Sequence, residues 1–353
     1  MDIRKFLTIW FLNYCYKCYK MLFPLKLLSC YISGKLTMLA KLMKSVYQKT
    51  LNVPVKCEGV GLHSGKLVEM HIKPAGPNTG IFFRRLDIPD NPIINASYDC
   101  VVDTKYGTTL ANADGTHVQT VEHLMAAFMG TEIDNAEVIL SSCEVPVMDG
   151  SSKSFVEMIN SVGKKEQIAR KKSIKVLRDI CVSFEDKNIS ISPSDTFSIN
   201  YHINFSDPLI GEQTYEVVFF NGAFKEQICS ARTFGFLNEV KSLQKSGLAL
   251  GGSLENAIVL DNGKVLNPGG LRYKNEFVRH KILDCCGDMY LAGKNLIGSI
   301  EANCAGHELN NILLRRLLGD KKNYDIVETV GQVGTLEEVK TRERVDVEKI
   351  AIA

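Results

Sequence analysis

The stretch Phe277-Val278-Arg279-His280-Lys281-Ile282-Leu283-Asp284-Cys285-Cys286-Gly287-Asp288-Met289-Tyr290 constrains this chain more than any other. At 100° per residue Val278, Ile282, Cys285 and Met289 share one side of a helix, and His280, Asp284 and Asp288 line the opposite side. An imidazole and a carboxylate at i and i+4 stand one turn apart, close enough for a single metal ion to accept both. A solvated polar face would satisfy the same pattern. A second segment, Thr120-Val121-Glu122-His123-Leu124-Met125-Ala126-Ala127-Phe128, tips the balance, because it opens another apolar helix with a carboxylate beside a histidine. His280 and Asp284 on one helix, His123 on another and Glu122 next to it make up the parts of a hydrolytic zinc site with an open position.

The remaining composition is that of an ordinary globular protein of 353 residues, 45% hydrophobic and 23% charged, long enough for two domains. Its net charge of +2 is unevenly spread. Residues 1–50 carry nine Lys or Arg and one acid, whereas residues 51–353 hold 33 basic and 39 acidic residues. The body is therefore mildly acidic and lacks the basic stripe that nucleic-acid binding requires. The eleven cysteines are odd in number and scattered through apolar runs, as expected of buried thiols in a reducing compartment.

The longest uncharged run near the start, Phe6 to Tyr16, is too short for a transmembrane segment, which needs about 20 residues. A signal peptide finds no small-residue cleavage site at the expected place and an organelle transit peptide fits the acid-poor composition, but the favoured reading is an over-called start with Met38 or Met43 as the first residue. This N-terminal extension is expected to stand outside the fold, with ordered structure beginning near Leu51.

Val53 to Lys73 alternates like a hairpin bent at Gly59-Val60-Gly61-Leu62-His63-Ser64-Gly65-Lys66. Neither a P-loop nor a dinucleotide fingerprint fits this turn, since Val60, Leu67 and Ser64 occupy positions those motifs reserve for Gly or a hydroxyl. Strands are predicted at Gly80–Arg84 and Glu137–Leu140, with the Thr120 helix between them and Thr120 as its N-cap. Val145 to Ser151 reads as strand, turn and helix start, and Ser154–Ile159 as helix. The basic, weakly patterned run from Gly163 to Arg178 is the expected boundary between a first domain (51–165) and a second (166–353). Beyond it strands are predicted at Ser173–Leu177, Ile189–Ser192, Phe197–Phe205 and Tyr215–Phe220, then helices at Glu239–Lys245 and Glu276–Ala292. Strands first and helices after, twice over, is an α+β layout.

Six segments in order, Gly59–Lys66, Thr120–Phe128, Asp134–Ser151, Ala231–Phe236, Phe277–Asp288 and Gly306-His307-Glu308-Leu309-Asn310-Asn311, resemble the motifs of the UDP-3-O-acyl-N-acetylglucosamine deacetylases, the zinc amidases of lipid A synthesis. The resemblance covers roughly residues 51–350. It implies two similar α+β domains, each a sheet layered with helices, with the active site between the helical layers. It also implies a second-domain insertion that forms a passage for the acyl chain. It places the Zn²⁺ ligands on His123, His280 and Asp284 and the general base on Glu122. It further implies a catalytic histidine at His307 with Asp288 as its acidic partner, and a hydroxyl near the scissile amide at Thr233. Lys281, Phe234, Phe236 and Leu62 are implied on the substrate side. Gly107 departs from the pattern, since some members of the family carry a cysteine there. The implied partner is UDP-3-O-acyl-N-acetylglucosamine, acted on by a cytoplasmic monomer of the Gram-negative type with no transmembrane segment. The rival classes are a two-metal phosphohydrolase, which would gather more carboxylates, and a binding module, which would not need Glu122 beside a ligand.

Overall fold

A computed structural model describes residues 46–220 and 222–328. Most of the N-terminal extension, with Met38 and Met43, lies outside the described residues. The first strand, Tyr47–Leu51, starts ahead of the expected Leu51.

The helices are α1 (Glu122–Thr131), α2 (Lys153–Val162), α3 (Leu237–Lys245), α4 (Glu276–Tyr290) and α5 (His307–Gly319). The predicted hairpin forms from Val55–Val60 and Leu67–Pro74, in register from Val55 opposite Ile72 to Val60 opposite Leu67. It belongs to a five-stranded sheet in the order Val55–Val60, Leu67–Pro74, Ala136–Leu140, Ile81–Arg85 and Ile93–Asn95. A seven-stranded sheet is built around Asn295–Asn303, which pairs in parallel with Lys172–Val176 and Phe197–Asn204 and antiparallel with Lys187–Ser192.

The two sheets position their helices in the same way. Ile81–Arg85 and Ala136–Leu140 run parallel, with α1 in the connection between them. Phe197–Asn204 and Asn295–Asn303 run parallel, with α4 in theirs. A parallel pair needs such a crossover, and the apolar faces of Phe83 and Val138 on one sheet and Ile199 and Ile300 on the other are fully buried. The result is the α+β architecture expected, mixed sheets layered with helices, in which α1 and α4 pack against each other, α2 packs beside α1 and α5 beside α4.

The polar side of α4 does not face solvent, because thirteen of its fifteen residues are buried, among them His280, Asp284 and Asp288. Two local expectations are corrected. First, Thr120 is not an N-cap. It sits at φ 58°, Val121 precedes the helix, and the Thr120 hydroxyl donates instead to Glu144 Oε1 at 3.0 Å. Second, part of the weakly patterned run from Gly163 is a strand, Lys164–Arg170, paired antiparallel with Tyr47–Leu51. The strand is largely exposed, at Lys164, Lys165, Glu166, Ile168 and Arg170, which accounts for its mostly polar sequence. Among the described residues every strand pair, this one included, keeps both members on one side of Lys171.

Gly287 sets the distance between the two central helices. A Cβ on it would come within 2.0 Å of the backbone oxygen of Glu122. Gly287→Ala should therefore force α1 and α4 apart, costing about 1–3 kcal/mol as overpacking of a filled core does. Denaturant unfolding of the purified variant, with the slope unchanged and the midpoint lowered, is the measurement that checks it.

Candidate metal and catalytic site

The α1–α4 contact brings together side chains nearly 160 residues apart in sequence. His123, on the first turn of α1, and His280 and Asp284, one turn apart on α4, converge with ligand atoms all within 4.8 Å of one another. Asp284 Oδ1 lies 3.5 Å from His123 Nε2 and 3.4 Å from His280 Nε2, and the two imidazole rings stand nearly perpendicular at 81°. Ligands about 2.1 Å from a tetrahedral ion stand about 3.4 Å apart, so these gaps suit three donors around one cation.

The electrostatics agree. His280 Nδ1 donates to the carbonyl of Ala231 at 3.1 Å, which leaves Nε2 free of its proton and aimed into the cluster. Burial drives the pKa of His280 down to about 3, so its approach to Asp284 is not an ion pair at neutral pH. Burial opposes the charge on Asp284 as well. His280, Lys281, His123 and His307 nevertheless hold its carboxyl well below the usual range, and of these His280 is neutral at pH 7. Lys281 Nζ donates to Asp284 Oδ2 at 2.7 Å. Asp284 Oδ1 is buried and has no hydrogen-bond partner. A buried carboxylate oxygen left open between two imidazole nitrogens is the donor set a divalent metal completes.

Two further groups flank the three donors. Glu122 is buried, and burial raises its carboxyl above the usual value despite nearby His307 and His123. Thr108 N–H donates to its Oε2 at 2.9 Å. His307, the first residue of α5, donates from Nδ1 to Asp288 Oδ2 at 2.7 Å, while its Nε2 lies 4.0 Å from Asp284 Oδ2. Burial works against a charged imidazole here, but the Asp288 charge and hydrogen bond, with Glu122 and Asp284, lift His307 to about 9. At neutral pH it is an imidazolium with a proton to give.

The other expected residues are placed as follows. The Phe234 ring lies 6.1 Å from His280 and 5.0 Å from Phe277, edge-on to both, so it walls the ligand off from water. Phe236 is half-buried on the same strand, Phe234–Phe236. Thr233 is held by its backbone, with its N–H on Gly150 O and its carbonyl taking the Ile258 N–H. Leu62 stands apart from this cluster, in the hairpin turn, where its carbonyl accepts the N–H of Gly251. That turn borders an open cavity of about 80 Å³ lined in part by His63, Tyr106, Gly107, Thr120 and Leu248.

Sequence reasoning missed Thr108, the Ala231 carbonyl, Asn310 (whose amide donates to Asp288 Oδ2 at 2.8 Å) and Gly287. Ala231 acts through its backbone carbonyl and Thr108 in part through its backbone N–H, groups for which residue type carries no signal. Asn310 was within reach, since it lies one turn beyond the site histidine in Gly306–Asn311.

Residues 48–319 match the family model described as UDP-3-O-acyl N-acetylglycosamine deacetylase. A UDP-3-O-acyl-N-acetylglucosamine deacetylase of Pseudomonas entomophila is 46% identical over 284 residues, 80% of this chain and 93% of the relative. One of Shewanella violacea is 45% identical over the same shares. Both sheets and every residue of the α1–α4–α5 cluster fall inside the matched span apart from the edge strand Tyr324–Glu328, and the chain therefore belongs to the UDP-3-O-acyl N-acetylglycosamine deacetylase family.

Proposed function

We infer that this chain hydrolyses the acetamide of UDP-3-O-acyl-N-acetylglucosamine to the free amine and acetate, the deacetylation step of lipid A biosynthesis. Family membership carries the substrate, and the unpartnered Asp284 Oδ1 between two histidine nitrogens is the observation that carries the chemistry. The metal we assign is Zn²⁺, because two neutral imidazoles and one carboxylate with room for a fourth ligand form a hydrolytic zinc donor set. Bound there, the ion supplies Lewis acidity and a water acidic enough to lose its proton near neutral pH.

The chain's own groups do the rest. Glu122, desolvated and therefore more basic than an exposed carboxylate, takes the proton of the attacking water. His307, kept charged by Asp288, gives its proton to the departing sugar nitrogen. Lys281 keeps Asp284 ionised and stands beside the substrate, and Phe234 keeps bulk water from the ligands. Thr233 we assign as a donor to the tetrahedral oxyanion, supported by its place two residues beyond the Ala231 carbonyl that orients His280. Phe236 and Leu62 are assigned to the substrate walls.

We further divide the chain into a first domain, residues 51–165, and a second, residues 166–353, supported by the absence among the described residues of strand pairs across Lys171, just beyond that boundary. We place the enzyme in the cytoplasm as a monomer. All eight cysteines among the described residues are free, as a reducing compartment allows, and none of their helices is long and apolar enough to cross a membrane.

Three outcomes test this reading. Asp284→Ala should fold yet lose most of its metal, and elemental analysis of the purified variant checks it; full stoichiometric zinc would remove Asp284 from the ligand set. Glu122→Ala should lower kcat by on the order of 10²–10⁴ with little change in KM. Because the pKa of His307 is raised, its proton is present below that value and lost above it, so the wild-type rate should fall on the alkaline side. His307→Ala should distort that limb, and an unchanged pH–rate profile would exclude His307 as the acid.

A fourth outcome concerns the acyl chain. Ser246 to Ser253 interleaves apolar and small residues and docks on the hairpin turn, with Leu250 N–H on His63 O and Gly251 N–H on Leu62 O. Gly251 is there for close approach, since a Cβ would meet Gly61 O at 2.2 Å. Gly252 has more room, its nearest side-chain neighbour being Leu62 Cδ1 at 3.8 Å from a Cβ. If this insertion lines the acyl passage, Gly252→Phe should cost roughly tenfold or more in kcat/KM on a long-chain substrate, about 1.4 kcal/mol, and spare a short-chain analogue. Equal losses on both would place the passage elsewhere.

A further inference from the structure

Thr108 is buried, 2% exposed, and carries no charge, yet it touches both proton-handling carboxylates of the site. Its N–H donates to Glu122 Oε2 at 2.9 Å, and its carbonyl accepts the N–H of Val121, just ahead of α1, at 3.3 Å. Its hydroxyl donates to Asp288 Oδ1 on α4 at 2.6 Å. One residue is thus bonded to the start of the helix carrying the base and to the residue that holds the acid.

Each bond decides which oxygen of a carboxylate is left for chemistry. With Oε2 of Glu122 taken by the Thr108 amide, Oε1 is the oxygen free to accept a proton. With Oδ1 of Asp288 taken by the hydroxyl, Oδ2 is the oxygen that meets His307 Nδ1 at 2.7 Å and Asn310 Nδ2 at 2.8 Å. Without the hydroxyl, Asp288 Oδ1 would be left without this donor in a buried place, and the carboxylate would gain freedom to turn. His307 is oriented by that carboxylate, and small displacements of a reacting group are costly in rate.

We propose that Thr108 is a positioning residue of the hydrolysis: its hydroxyl fixes Asp288, and through it His307, relative to the Glu122 carboxylate that its own N–H holds. This role rests on the deacetylase reading above.

The test compares Thr108→Val with Thr108→Ser in the full-length, metal-loaded enzyme, measuring acetate release from UDP-3-O-acyl-N-acetylglucosamine, metal content and thermal stability. Valine keeps the shape and the N–H but removes the hydroxyl. Thr108→Val should lower kcat by about tenfold or more, about 1.4 kcal/mol, with KM and metal content at wild-type values. Thr108→Ser, which restores the hydroxyl, should recover most of that loss. A Thr108→Val enzyme turning over at the wild-type rate would overturn the role, as would a Thr108→Ser enzyme as slow as Thr108→Val. Loss of metal or of thermal stability in parallel with kcat in both variants would reduce Thr108 to a packing residue. Wild-type enzyme that released no acetate would overturn the activity itself and this role with it, whereas an active wild type matched by Thr108→Val overturns the role alone.

Discussion

The close contact between α1 and α4 is the constraint on which the rest of the structure depends. It is made backbone to backbone at Gly287, whose missing Cβ lets α4 lie against the carbonyl of Glu122. Only at that distance do His123 from one helix and His280 and Asp284 from the other reach a common point. The same contact buries Glu122, Asp284 and Asp288 together, an arrangement that is unfavourable unless the charges are compensated. Lys281 and a charged His307 offset two of the three carboxylates. The remaining negative charge, and the open oxygen of Asp284, are what a divalent cation neutralises.

Much of this was legible in the sequence, and the failures have physical causes. The i, i+4 spacing of His280 and Asp284 survives folding because it is a property of the helix alone. The hairpin at Val55–Pro74 was readable from alternation, since its strand Leu67–Pro74 buries alternate residues, whereas Ala136–Leu140 is buried at four of its five positions and does not alternate. What periodicity could not tell was where the polar face of α4 points. A face packed on another helix and a face turned to water share one pattern until the partner helix is known. Thr120 was misjudged because a residue ahead of a helix has two uses for its hydroxyl, and here buried Glu144 takes it. The strand Lys164–Arg170 was obscured because it is an edge strand whose outward residues are charged and whose partner lies more than 110 residues earlier.

Neither half of the fold holds a complete site. The elements before Lys171 supply Glu122, His123 and Thr108, and those after it supply His280, Lys281, Asp284, Asp288 and His307. The correspondence between them is topological: in each, a helix crossing between two parallel strands carries the chemistry. The sequences of α1 and α4 do not match, and the two helices contribute different donors, so the symmetry belongs to the crossover and not to the side chains.

This division of labour ties metal binding to packing. A ligand that binds only the assembled site stabilises the assembled state by an amount set by its concentration relative to its dissociation constant. Protons and the metal compete for the same nitrogen atoms, and the field of Glu122 and Asp284 that raises the pKa of His123 against burial is the field that attracts a cation. A metal held there would satisfy the Asp284 oxygen and keep both imidazoles neutral, in keeping with the proton-handling roles proposed for Glu122 and His307.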